Sequence, residues 1–70
     1  MVVLVNNETG RIINEGDALL DSTTGRTGKY TGWMPAHARN SEGLIYIRFP
    51  GKEWDESFLP PNIGCKLVDI

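Results

Sequence analysis

The stretch with the most obvious chemical potential is residues 24–29, Thr-Gly-Arg-Thr-Gly-Lys, because a glycine followed by lysine is the core of a phosphate-binding loop. Such a loop needs an earlier glycine at residue 23, a Ser or Thr after the lysine, and a helix whose N-terminus faces the phosphate. These positions hold Thr23 and Tyr30, and no helical period follows. The stretch therefore predicts a flexible loop between strands and not a nucleotide site.

The other reactive side chains are isolated. The chain has one histidine, His37, and one cysteine, Cys65, so it offers no His/Cys metal set, and we expect no metal and no cofactor. Cys65 has no neighbour that would activate its thiol, which favours a small buried hydrophobe. A single cysteine also excludes an internal disulfide and fits a reducing, cytoplasmic location. Glu53, Asp55 and Glu56 are typical of a solubilised edge strand. We expect no enzyme.

The charges are distributed unevenly along the chain. The formal net charge is −2, yet residues 24–52 hold five basic residues and one acidic residue, whereas the remainder holds two basic and eight acidic residues. A basic block of this kind suits an acidic partner. No apolar run approaches the ~18 residues that a membrane-spanning helix requires, so we expect no membrane contact.

Short strands separated by Gly, Pro and Asn turns account for the chain, and we predict one all-β domain over residues 1–70. Strand-forming residues occupy positions 1–5, 18–21, 29–34, 44–49, 54–59 and 63–68, and residues 11–13 are a further short candidate. The pair Pro60-Pro61 predicts a 3₁₀ turn before the last strand. No segment sustains a helical period.

Side-chain alternation predicts which faces of the central strands are buried. Arg48 marks its own face, which it shares with Tyr46, as outward. Lys29 in the same way predicts that Trp33 points outward and Met34 inward. In residues 54–59 we expect Trp54 and Phe58 to point inward. The predicted core comprises Leu4, Leu19, Tyr30, Ile45, Ile47, Phe49, Phe58, Ile63, Leu67 and Val68.

The order of these segments resembles the Src-homology-3-like (SH3-like) barrels. The resemblance covers residues 15–69 and rests on architecture: a Gly-Asp before the first barrel strand, a polar loop, two central strands and a proline-marked turn. The segments that carry it are residues 16–20, 28–32, 44–49, 58–62 and 66–68. It implies a small barrel of five to six short antiparallel strands.

Individual SH3-like families match only in part. Residues 18–22, Ala-Leu-Leu-Asp-Ser, lack both tyrosines with which signalling SH3 domains bind polyproline. The chain resembles the plasmid-borne dihydrofolate reductases at Gly16-Asp17 and Gly32-Trp33, but residues 56–59, Glu-Ser-Phe-Leu, lack the pattern of their active strand. Trp54-Asp55 is similar to small docking subunits of photosynthetic electron-transfer complexes. The pattern closest in texture is that of small phage and prophage proteins, on Gly32, Trp33, Pro35, His37, Ser41, Gly43, Ile45, Tyr46 and Ile47.

Cations beside exposed aromatic rings predict a recognition surface, because such groups stack on bases or contact a partner's acidic rim. We expect a non-enzymatic binding or regulatory module, phage-encoded if the last resemblance holds, that recognises an acidic protein partner. Nucleic-acid binding, self-association and a structural role in a larger assembly stay open as alternatives. The predicted contact residues are Arg26, Lys29, Trp33, His37, Arg39, Tyr46 and Arg48.

Overall fold

The computed structural model describes residues 1–36 and 42–70, which form seven antiparallel strands. The strands are β1 (Val2–Asn6), β2 (Ile12–Ile13), β3 (Ala18–Asp21), β4 (Arg26–Met34), β5 (Leu44–Arg48), β6 (Glu56–Phe58) and β7 (Cys65–Asp69), with a 3₁₀ turn (Pro60–Ile63) before β7. The all-β class and the turn before the last strand are confirmed. The number of strands is seven and not five to six, because the two residues of β2 do pair with β1.

The strands form two sheets that enclose a common core. One sheet has three strands in the order β2-β1-β7, and the other has four in the order β3-β4-β5-β6. Across the described residues, strand pairing does not join the two sheets into a closed barrel. No helix within the described ranges is long and apolar enough to span a membrane.

The core matches the alternation of the strands closely. Its fully buried members are Leu4, Leu19, Tyr30, Ile45, Ile47, Phe49 and Cys65, and Ile13, Phe58, Ile63 and Leu67 pack partly buried against them. All but Val68 of the predicted core are thus found in it, and burial of the Cys65 thiol is confirmed. Phe49 and Phe58 meet edge to face, with ring centroids 6.0 Å apart.

Two prolines and a glycine define the 3₁₀ turn. Pro60 and Pro61 stand at its start, where their fixed φ suits a helical turn and their missing N–H groups need no partner. Gly64 ends it with φ of +74°, a left-handed conformation that favours glycine. The turn delivers Cys65 into the core at the first residue of β7.

A β-bulge at Thr31 changes the faces of β4. Tyr30 lies opposite Ile47, but Gly32 lies opposite Tyr46, so Thr31 is an extra residue between them. Because side chains alternate with period two, one extra residue exchanges the faces of everything beyond it.

The predicted sheet faces of the residues beyond the bulge are therefore wrong, although Trp33 is exposed, as predicted. Trp33 pairs with Ile45 and shares its inner face, whereas Met34 pairs with Leu44 on the outer face. The expectation for Trp54 is wrong too: it precedes β6 and is 57% exposed. The stretch 24–29, predicted as a loop, is a loop only up to Gly25, because Arg26 already begins β4.

Candidate functional site

The four-stranded sheet brings three of the predicted contact residues together on its outer face. Lys29 of β4 lies directly opposite Arg48 of β5, and Tyr46 stands two residues before Arg48 on the same face. Facing cations on neighbouring strands repel each other. Asp55 relieves part of that repulsion, since its carboxylate accepts a hydrogen bond from Arg48 Nε at 2.7 Å.

Two residues that the sequence did not select extend this group. Lys52 lies over the ring of Trp54, with its Nζ 5.2 Å from the ring centroid, which is cation–π geometry. Trp54 directly precedes Asp55, the partner of Arg48, so the exposed aromatic near the cations is Trp54 and not Trp33. We call Lys29, Tyr46, Arg48, Lys52 and Trp54 the outer basic face.

An open cleft lies beside Lys29 and Lys52 of the outer basic face. Three cations line it together with small or apolar residues, and no acidic side chain of the described residues lines it. A cleft with cations at its rim and an apolar floor suits a ligand that combines a negative charge with a nonpolar group. Its lining residues are Ala18, Thr27, Gly28, Lys29, Arg48, Phe49, Pro50, Gly51 and Lys52.

Tyr46 connects the cations to an apolar part of the same face. Its hydroxyl donates to the Met34 sulfur at 3.8 Å, and Met34 is 40% exposed. Leu44, opposite Met34, is half-buried on that face. The outer basic face is therefore bordered by partly exposed nonpolar side chains.

Arg26 was predicted as a contact residue, but its guanidinium is occupied within the fold. Nη1 and Nη2 donate to the two carboxylate oxygens of Glu56 at 3.0 and 3.1 Å, and Nε donates to Thr24 Oγ1 at 3.1 Å. The group also lies over the Phe49 ring, 3.9 Å from its centroid. This geometry joins the start of β4 to β6 on the inner side of the sheet, away from Lys29 and Arg48.

The same contact shifts the titration of both partners. The hydrogen bond from Arg26 lowers the pKa of Glu56, with further lowering by the charges of Arg26 and Lys52. The hydrogen bond to Glu56 raises the pKa of Arg26. The neighbouring Asp21 is buried, and its carboxylate accepts hydrogen bonds from the Thr23 N–H and the Thr24 hydroxyl. Paired and hydrogen-bonded in this way, these charges stabilise the end of the sheet.

Trp33 lies apart from the outer basic face. It is 39% exposed and lines a groove between the end of β4 and the other sheet, together with Val2, Leu67 and Val68. The remaining predicted contact residues, His37 and Arg39, lie outside the described residues. The structure therefore groups Lys29, Tyr46 and Arg48, and separates Arg26 and Trp33 from them. Lys52 had one signal in the sequence, its position in the basic block after the Pro50-Gly51 turn.

Reactive groups form no cluster in the part of the chain that the structure describes. No group of three or more His, Cys, Asp or Glu side chains there could hold a metal ion. Burial raises the pKa of the Cys65 thiol, and the thiol donates to the Ile63 carbonyl at 3.6 Å. Both effects favour the protonated thiol, the less nucleophilic form.

No protein-family model, no curated protein and no solved structure matches this chain.

Proposed function

We propose that the chain is a non-enzymatic binding module that docks an acidic segment of a protein partner on the outer basic face. The observation that carries the proposal is the cleft beside Lys29, Arg48 and Lys52, which combines three cations with a largely nonpolar lining. Only Arg48 of the three has a carboxylate partner among the described residues. Lys29 and Lys52 are available to meet charges on a partner.

The composition of the face favours a protein over nucleic acid. Exposed Trp54, Met34 and Leu20 provide nonpolar contact area, which supports protein interfaces. Three cations can neutralise only a few phosphates. On a single strand each neutralised phosphate steepens the slope of log affinity against log salt concentration by only roughly 0.7, so the electrostatic contribution to nucleic-acid binding would be modest. The net charge of −2 further disfavours a long polyanion.

Charge reversal at Lys29 tests the proposal. Lys29→Glu removes one cation of the cleft and also the repulsion between Lys29 and Arg48, so we expect the variant to fold at least as stably as the wild type. Lys66→Glu is the matched control, because Lys66 is exposed on β7 of the other sheet. The measurement is retention on a resin bearing a Glu-rich peptide, followed over a salt gradient.

We expect Lys29→Glu to elute at clearly lower salt than wild type and Lys66→Glu to elute with wild type. Equal elution of the two variants would contradict the proposal. Binding of short single-stranded DNA at low ionic strength, lost in Lys29→Glu, would instead favour the nucleic-acid alternative. A stable oligomer in solution that dissociates on Lys29→Glu substitution would favour self-association or a structural role.

We also propose that the fold is SH3-like. The order of strands, with the 3₁₀ turn before the last one, supports an SH3-like architecture. Relationship to small phage proteins and a cytoplasmic location stay predictions from the sequence.

A further inference from the structure

One edge of strand β3 pairs with no other strand of the described fold, although the 3₁₀ turn lies close to β3. Strand β3 pairs with β4 on one side only, as the first strand of its sheet. The Tyr30 N–H donates to the Asp17 carbonyl, so this carbonyl faces β4. Backbone groups alternate along an antiparallel strand, and therefore Ala18 and Leu20 direct their N–H and C=O groups away from β4.

Between Asp17 and Asp21 this edge carries no charge and no proline. Natural edge strands are kept very short or carry charges and prolines. β2 has only two residues, and β6 has three, with Asp55 and Glu56 at its start. β3 instead shows Leu20, which is 54% exposed, on its outer face.

A cleft of about 740 Å³ lies beside β3 and separates it from the β1–β2 hairpin of the other sheet. Nonpolar residues of both sheets and of the 3₁₀ turn line it: Ile12, Ile13, Leu19, Leu20 and Ile63. The charged residues of the lining are Glu8, Arg11 and Asp17, and the Asp17 carboxylate accepts a hydrogen bond from the Asn14 N–H at 2.8 Å. An extended chain inserted here would pair with β3 and fill the space between the sheets.

We propose that β3 accepts an extended segment of the acidic partner as an added antiparallel strand, and that Lys29 selects a carboxylate on that segment. This inference rests on the proposed function, because the added strand would belong to the same acidic partner. Pairing through backbone groups would supply affinity, and the alternating side chains would supply specificity.

The register of β3 with β4 predicts which side chains the partner segment needs at each position. Ala18 pairs with Lys29 and Leu20 pairs with Thr27, so an added strand would place one residue beside Leu20 and the residue two positions later beside Ala18. Neighbouring strands are about 4.8 Å apart, so a residue of the added strand beside Ala18 would lie about 9.6 Å from β4. Lys29 and a glutamate on the added strand can span this distance, because the small Ala18 side chain lies between them. The predicted pattern is nonpolar, nonpolar, acidic, with the middle residue facing Leu19 and Ile63.

The test is an NMR titration of the full chain with the capped peptide Thr-Val-Val-Glu-Thr. We expect shifts of the Ala18 and Leu20 amides. Replacing Glu by Lys in the peptide should weaken binding about three- to tenfold, as for loss of an exposed ion pair with added repulsion. N-methylation of the first valine or the glutamate should weaken it by a similar factor, because those N–H groups would face β3. N-methylation of the middle valine should not.

This inference would be overturned by no binding up to the solubility of the peptide, by equal sensitivity to N-methylation at all positions, or by equal affinity for the Glu and Lys peptides. Shifts at Lys29 and Arg48 without shifts in β3 would reject strand addition and leave the outer basic face as the docking site. The proposed function fails separately, if Lys29→Glu and Lys66→Glu elute together from the acidic resin.

Discussion

Trp33 lies directly opposite Ile45 in the β4–β5 ladder, and both side chains therefore occupy the inner face of the four-stranded sheet. Strict alternation from Lys29 places Trp33 on the outer face. The difference is caused by one residue, Thr31, which bulges out of the ladder. It moves the large indole towards β1 and β7 and turns Met34 outward beside Tyr46.

Thr31 itself gives the first prediction. Its Oγ1 is buried and has no hydrogen-bond partner among the described residues. A buried hydroxyl without a partner costs about 1–3 kcal/mol, and valine has nearly the same shape. We expect Thr31→Val to increase the free energy of unfolding by about 1 kcal/mol, measured by urea denaturation. Thr27→Val, on the exposed face of the same strand, is the control and should change stability less. A Thr31→Val protein less stable than the wild type would show that the Thr31 hydroxyl does make a stabilising hydrogen bond.

The contact between Arg26 and Glu56 predicts a pH dependence. Because the pKa of folded Glu56 is lowered, the contact stabilises the fold above the unfolded pKa, about 4.3. This contribution is lost as the pH falls through the lowered pKa of the folded state. In Arg26→Gln we expect the Glu56 carboxyl, followed by NMR, to titrate at higher pH than in wild type. The difference in stability between the two proteins should narrow in acid.

Arg11→Gln is the control for that experiment, since Arg11 is exposed at the start of β2. It should leave the Glu56 titration unchanged. A Glu56 titration identical in wild type and Arg26→Gln would show that the ion pair is absent in solution.

Gly28 predicts a packing requirement. A Cβ built on Gly28 would lie 2.5 Å from Ile47 Cγ2 and 2.8 Å from the Arg48 carbonyl oxygen, distances at which one of the groups must shift. Crowding of this kind in a packed core typically costs about 1–3 kcal/mol. We therefore expect Gly28→Ala to lower the free energy of unfolding by that amount in urea denaturation. Thr27→Ala, one residue earlier and exposed, should have a smaller effect; equal effects would argue against the close packing.

Cys65 predicts protection of its thiol. The side chain is 1% exposed and burial raises its pKa, so both access and ionisation disfavour reaction. At pH 8 we expect a disulfide reagent such as dithionitrobenzoate to react with the native protein far more slowly than with the urea-unfolded protein. Rapid reaction in the native state would mean that β7 opens readily.

Much of this fold follows from local sequence. Period-two alternation and turn residues identified the strands, the 3₁₀ turn at Pro60 and nearly all of the core, because those signals depend on residues close together in the chain. The same reasoning selected Lys29, Tyr46 and Arg48, which the structure does bring together.

Only the tertiary structure decided the rest. The bulge at Thr31 depends on how β4 pairs with β5, and it exchanged the faces of Trp33 and Met34. Arg26 is occupied by Glu56, thirty residues away in the chain, a contact that no local pattern indicates. The free edge of β3 likewise exists because the two sheets do not join there. The alternation of side chains within a strand depends on local sequence. Register, ion pairing and unpaired edges depend instead on which strands become neighbours in the fold.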